Sequence, residues 1–217
     1  ALQPRVVVPL PAYTEYHQAF PEAGVPGSTA GRPHHDRGEL AALLAAASVV
    51  LLSNPHNPSG LVFTRAELEE LAHDNPQGLL VVDESYVEFC ADPPRFSLVG
   101  TECENVIVLR SPSKFYGIAG VRVGMAWSRH PGLAGWLSPP RGSWPLSAIE
   151  GELATAALAD VTWAEANRRA VCADGTWLDR HLRHLGRVVE GSVTHFRLVL
   201  NPEAERVARH LGAVGLG

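Results

Sequence analysis

One lysine stands in a chain that carries seventeen arginines: Lys114, in the run Ser111-Pro112-Ser113-Lys114-Phe115-Tyr116-Gly117. The two cations do different chemistry. A guanidinium stays charged at any accessible pH and is a poor nucleophile, whereas a lysine amine can give up its proton when its surroundings favour the neutral form. The free amine can then condense with a carbonyl to make a Schiff base. Where nearly every basic position has been filled with arginine, a retained lysine points to a place where arginine cannot serve. A solvated surface lysine is the bland alternative.

The elements that must position Lys114 are short apolar runs that end at polar residues. Val49-Val50-Leu51-Leu52 leads to Ser53-Asn54-Pro55, and Leu79-Leu80-Val81-Val82 leads to Asp83-Glu84. Val106-Ile107-Val108-Leu109 leads to Arg110-Ser111, and Val6-Val7-Val8 to Pro9-Leu10-Pro11. Continuous Val/Leu runs without polar alternation fit strands buried on both faces of a parallel sheet. Val123 to Trp127 is a candidate fifth strand. Between the strands, Thr64-Arg65-Ala66-Glu67 is a capping box that opens a helix with Leu68 and Leu71 on one face. Leu40 to Leu52 changes from Ala/Leu-rich to Val/Leu-rich, as a helix passing into a strand does. Residues 150 to 184 predict one or two longer helices with Leu153, Ala157, Trp163, Trp177 and Leu182 buried. The Pro/Gly/His-rich stretch from Gly24 to Gly38 predicts a loop. The fold class expected is α/β, a mainly parallel sheet between helices, with ligands bound outside the carboxyl ends of the strands.

Composition narrows the function classes. At 46% apolar and 19% charged residues the chain is an ordinary globular protein. A net charge of −5 without a basic block gives no reason to expect nucleic acid. The apolar stretches are too short to span a bilayer, so no membrane is expected. Cys90, Cys103 and Cys172 are odd in number and irregularly spaced, which argues against disulfides and a zinc site and fits a reducing cytoplasm. The ten histidines, His34-His35 among them, have no metal-ligand spacing; no metal is expected, and they read mostly as surface residues. Ser111-Pro112-Ser113-Lys114 also fits the S-x-x-K box of penicillin-recognising enzymes, but the K-T-G that family requires needs a second lysine.

Four stretches in order resemble the fold-type I pyridoxal-phosphate (PLP) enzymes, specifically the class I/II aminotransferases. They are Pro11-Ala12-Tyr13-Thr14-Glu15-Tyr16, Asn54-Pro55-His56-Asn57-Pro58-Ser59-Gly60, Asp83-Glu84-Ser85-Tyr86-Val87-Glu88-Phe89, and Ser113 through Gly124. Trp144-Pro145-Leu146-Ser147 and the Tyr86 to Cys90 ending are similar to the histidinol-phosphate aminotransferase branch. The resemblance covers residues 1 to roughly 200. It implies that Lys114 holds PLP as an aldimine and then serves as the base that moves the substrate α-proton. It implies that Asp83 pairs with the pyridine nitrogen, keeping it protonated, and that Asn57 and Tyr86 hydrogen-bond the phenolic oxygen. Tyr13 stacks on the ring, and Ser111, Ser113 and Arg122 hold the phosphate.

The same resemblance divides the chain into a PLP-binding large domain over 1–185, with its N-terminal part apparently missing, and the truncated beginning of a C-terminal small domain over 186–217. Two departures stand beside the cofactor residues: His56 where asparagine is usual and Ser85 where alanine is usual. The segment supplying backbone amides to the phosphate, and the arginine that binds the substrate carboxylate, have no counterpart here; Arg197 is not assigned that role. The expected activity is amino transfer between an amino acid or amino-phosphate and a 2-oxo acid, by a cytoplasmic homodimer. A PLP-dependent decarboxylase of an amino-acid phosphate, a PLP-dependent cyclase or lyase, and a truncated non-catalytic remnant are the alternatives.

Overall fold

Runs of valine and leucine, each stopped by a proline or polar residue, become the strands of one sheet. The computed structural model describes residues 6–16, 18, 27–33, 36–46, 49–133, 135, 146–188 and 195–216, with the backbone alone described over 27–33. Strands β1 (Val6–Leu10), β2 (Gly27–Pro33), β3 (Val49–Ser53), β4 (Leu79–Asp83), β5 (Val106–Arg110) and β6 (Met125–Trp127) stand in the order β2-β1-β3-β4-β5-β6. Neighbours run parallel except β6, which is antiparallel to β5. The chain steps from β1 to β2 on one side and then to β3 on the other, so the order reverses between β1 and β3. A reversal of this kind opens a crevice at the carboxyl ends of the strands.

Two helices close one face of the sheet. Helix α1 (Arg37–Ala45) starts at Asp36, whose carboxylate accepts from the Glu39 N–H. Helix α2 (Arg65–Asp74) starts at the predicted Thr64–Glu67 capping box, with both reciprocal bonds made. Leu40, Leu44, Leu68 and Leu71 from these helices pack on Val50, Leu52, Leu80, Val82, Val106 and Val108. Alternate strand positions share a face, so the even-numbered residues of β3, β4 and β5 form this core. On the other face Leu51 and Ile107 are buried and Val81 is half-buried. Helices α3 (Ala148–Ala159) and α4 (Val161–Leu182) follow, and a separate two-stranded sheet, β7 (Arg187–Val188) with β8 (Val199–Leu200), precedes α5 (Ala204–Ala213).

Two expectations from the sequence are corrected here. The stretch from Gly24 to Gly38 is not all loop: Gly27–Pro33 is strand β2, and Arg37 and Gly38 already belong to α1. The hydrogen bonds of β2 come from β1, in parallel register from Val6 opposite Gly27. An edge strand tolerates glycine and proline because one side of it needs no partner. Secondly, Leu153, Trp163 and Trp177 are 48%, 41% and 54% exposed, whereas Ala154, Ala164 and Gly175 are buried. The positions these helices bury are small residues, and the large side chains stay partly in solvent. Among the described residues, no helix is long and apolar enough to cross a membrane.

Candidate active site

Parallel pairing brings the polar strand ends into one row. Ser53 lies opposite Asp83, and Asp83 opposite Leu109, which puts the turn bearing Lys114 beside both. The segment after β1 adds Tyr13 and Tyr16 from the other side of the switch point. Tyr13, Tyr16, Ser53, Asn57, Asp83, Ser85, Tyr86 and Lys114 line one pocket of about 260 Å³. Five of the expected site residues therefore converge: Tyr13, Asn57, Asp83, Tyr86 and Lys114.

Lys114 owes its place to the turn after β5. The Tyr116 N–H donates to the Pro112 carbonyl and the Ile118 N–H to the Ser113 carbonyl. Gly117 closes the turn at φ +67°, a left-handed conformation that costs glycine little. Phe115 is the anchor: it is buried, edge-on to Phe89 at 5.1 Å and to Trp163 at 5.7 Å. Its neighbour Lys114 is exposed and holds its amine 5.3 Å from the centre of the Tyr86 ring.

Asp83 is bound on both oxygens. Oδ1 accepts the Ser85 N–H at 2.8 Å, and Oδ2 accepts the Tyr16 hydroxyl at 2.6 Å. The adjacent Glu84 points the other way, into the protein, where it accepts from the Ser97 hydroxyl at 2.7 Å and the Leu98 N–H at 2.6 Å and pairs with Arg110. Burial pushes its carboxyl above the ordinary range, against those donors. The anchored Glu84 and the outward Asp83 follow from strand alternation.

Burial first, and then the Asp83 charge, hold the Tyr86 phenol above its ordinary value, with the nearby Asn57 side chain pulling the other way. Burial and the same carboxylate push the Tyr16 phenol up as well. Both therefore stay neutral donors across the physiological range.

The phosphate-side residues are arranged differently. The Ser111 and Ser113 hydroxyls meet at 2.6 Å, and Ser111 lines a different cavity, with Arg110 and Tyr116. Arg122 is exposed and donates to the Ala119 carbonyl. Trp144 and Pro145 of the quoted Trp-Pro-Leu-Ser segment, and His34-His35, lie outside the described residues. Ser147 is the N-cap of α3. Arg197 pairs with Asp179 on α4.

His56 is not in the pocket wall and is not a surface residue. It is buried, with Nδ1 on the Ser59 hydroxyl at 2.6 Å and Nε2 on the Pro11 carbonyl at 2.7 Å. A carbonyl only accepts, so Nε2 carries a proton, and the ring ties the Asn57 loop to the segment that carries Tyr13. Ser85 lines the pocket and supplies the N–H to Asp83. Tyr16 and Ser53 went without a role in the sequence; the only signals were the place of Tyr16 three residues past Tyr13 and of Ser53 at the end of a buried strand.

A model of the family described as aminotransferase class I and II matches residues 3–212. The chain belongs to the class I and II aminotransferase family. Histidinol-phosphate aminotransferase 1 of Nostoc sp. is 34% identical over 200 residues, covering 92% of this chain and 56% of that protein. Histidinol-phosphate aminotransferase of Anaeromyxobacter sp. is 35% identical, covering 77% of this chain and 47% of that protein. The chain thus spans about half the length of the curated relatives it matches. Among solved structures, the histidinol-phosphate aminotransferase of Sinorhizobium meliloti, in complex with pyridoxal-5'-phosphate, superposes with a TM-score of 0.80 at 29% identity over 95% of this chain and 57% of that one. The Clostridium acetobutylicum histidinol-phosphate aminotransferase shares the fold, with a TM-score of 0.83 at 20% identity over 99% of this chain and 67% of that one.

Proposed function

We propose that the protein is a PLP-dependent aminotransferase exchanging an amino group between an amino acid or amino-phosphate and a 2-oxo acid, with substrates nearest those of histidinol-phosphate aminotransferases. The observation that carries this reading is the convergence of Lys114, Asp83, Asn57, Tyr86 and Tyr13 on one pocket. The donor set fits the cofactor. A pyridinium nitrogen needs a carboxylate, and each Asp83 oxygen has one protein donor, leaving lone-pair capacity for another. A phenolic oxygen needs donors, and Asn57 and Tyr86 line the same pocket. An aldehyde needs an amine, and Lys114 is the only lysine in the chain.

When bound, PLP supplies an electron sink for the pair left on a substrate α-carbon. The protein contributes positioning and proton transfer. Asp83 keeps the proton on the ring nitrogen by its charge. Asn57 and Tyr86 orient the ring through its oxygen, and Tyr13 covers one face. Lys114 holds the cofactor through its amine and, when freed, takes the α-proton as general base and returns it. Ser111, Ser113 and Arg122 are assigned to the phosphate. We further assign 1–185 to the cofactor-binding domain and 186–217 to the start of a second unit, a division supported by the separate β7–β8 sheet. The assembly is taken as a homodimer, which sedimentation would test.

The test is a visible spectrum of the purified protein with PLP, before and after borohydride, beside Lys114→Ala. A yellow colour fixed covalently by reduction in the parent and absent from the variant is the expected result. A colourless parent that takes up no PLP would leave a non-catalytic remnant as the better reading. Release of carbon dioxide from an amino-acid phosphate, with no amino transfer to 2-oxoglutarate, would make it a decarboxylase instead.

A further inference from the structure

Beside the pocket the Tyr16 hydroxyl donates to Asp83 Oδ2 at 2.6 Å. An ionised carboxylate only accepts, so the Tyr16 proton points at Asp83. Ser53 lines the same pocket and accepts the Asn57 N–H at 3.1 Å.

The parallel sheet is what brings these residues together. Ser53 and Asp83 are register partners on β3 and β4, and Tyr16 reaches them from the segment after β1. Tyr16 is half-buried and packs edge-on to Tyr13 at 5.6 Å. The other titratable groups of the pocket are Tyr13, Tyr86 and Lys114. Of these, neither tyrosine nor the lysine is recorded as donating to Asp83; its donors are the Ser85 N–H and the Tyr16 hydroxyl.

We propose that Tyr16 is a positioning residue for the proposed reaction: it fixes the plane of the Asp83 carboxylate and favours its anionic form, so that a proton shared with a cofactor ring nitrogen stays on the nitrogen. This rests on the PLP reading above. Donation to one carboxylate oxygen stabilises the anion over the acid. Without it, the shared proton moves toward Asp83, the ring loses positive charge, and the group attached to Lys114 becomes harder to deprotonate.

The experiment reconstitutes the purified parent and Tyr16→Phe with PLP. It measures cofactor retention by equilibrium dialysis and the pH midpoint of the visible absorbance change of the bound cofactor. In Tyr16→Phe, retention should weaken by about tenfold and the absorbance midpoint should rise by about one pH unit, the size expected for one hydrogen bond to a charged group. A pure packing role for Tyr16 would lower the melting temperature and leave the absorbance midpoint in place; that result overturns the proposal while the PLP reading stands. If the parent itself takes up no PLP, the reading falls first and the proposal falls with it.

Discussion

The amine of Lys114 lies 5.3 Å from the centre of the Tyr86 ring, joining the turn after β5 to the turn after β4. A cation at such a face gains about 0.5–1 kcal/mol at an exposed site. That is enough to bias the amine toward the pocket and too little to hold it there against a reaction.

Lys114→Arg separates the charge from the amine. The variant keeps a cation beside Tyr86 but has no group that condenses with an aldehyde. Its melting temperature should match the parent's, and borohydride in the presence of PLP should add cofactor mass to the parent alone. Amino transfer should fall on the order of 10²–10⁴-fold, the range for a lost general base. Intact-protein mass spectrometry and a coupled 2-oxo acid assay read the two effects, and cofactor mass on the variant would count against the role given to Lys114.

Gly117 is needed for its backbone and not for its size. A Cβ there would meet nothing within 4 Å, but φ is +67°. Gly117→Ala should destabilise by about 1–2 kcal/mol, and Gly117→Asn by less, because asparagine enters the left-handed region more easily. Equal urea midpoints for the two variants would show that the turn has changed shape.

His56→Ala removes a buried strut and leaves the Ser59 hydroxyl and the Pro11 carbonyl without the ring that joined them. The expected loss is about 1–3 kcal/mol in urea unfolding. PLP retention should weaken as well, since Pro11 leads into Tyr13. A variant as stable as the parent would refute the strut.

His195 supplies a pH dependence. It packs between Phe89 at 4.2 Å and Phe196 at 4.3 Å, and burial, then the Arg197 charge, hold its imidazole below 6.5. The fold therefore prefers the neutral ring. The stability this group contributes is complete above about pH 6.5 and is lost as pH falls toward the lower folded value. His195→Phe should flatten the decline in urea midpoint over that window. An unchanged slope would show that other groups set it.

Much of the frame was legible because its causes are local. Val/Leu runs closed by Asp83, Ser53 or Arg110 announce buried strands, and Thr64 with Glu67 announces a helix start. Strand β2 was not legible, because a Gly/Pro-rich segment shows no apolar pattern and its bonds come from β1. Trp163 and Trp177 were misplaced for a related reason: apolar character marks what gains from burial, but long-range packing decides what is covered, and there it covers Ala154, Ala164 and Gly175.

The sequence by itself determined which chemistry was available: a single amine at Lys114, a carboxylate at Asp83, donors at Asn57 and Tyr86, each at or just beyond the end of a predicted strand. Residue type and short-range pattern are enough for that. Only the tertiary structure decided that Tyr16 would meet Asp83 across 67 residues of chain, that Ser53 would stand opposite it, and that His56 would be a strut. Those pairings depend on strand order and register, which long-range packing sets and no local pattern encodes.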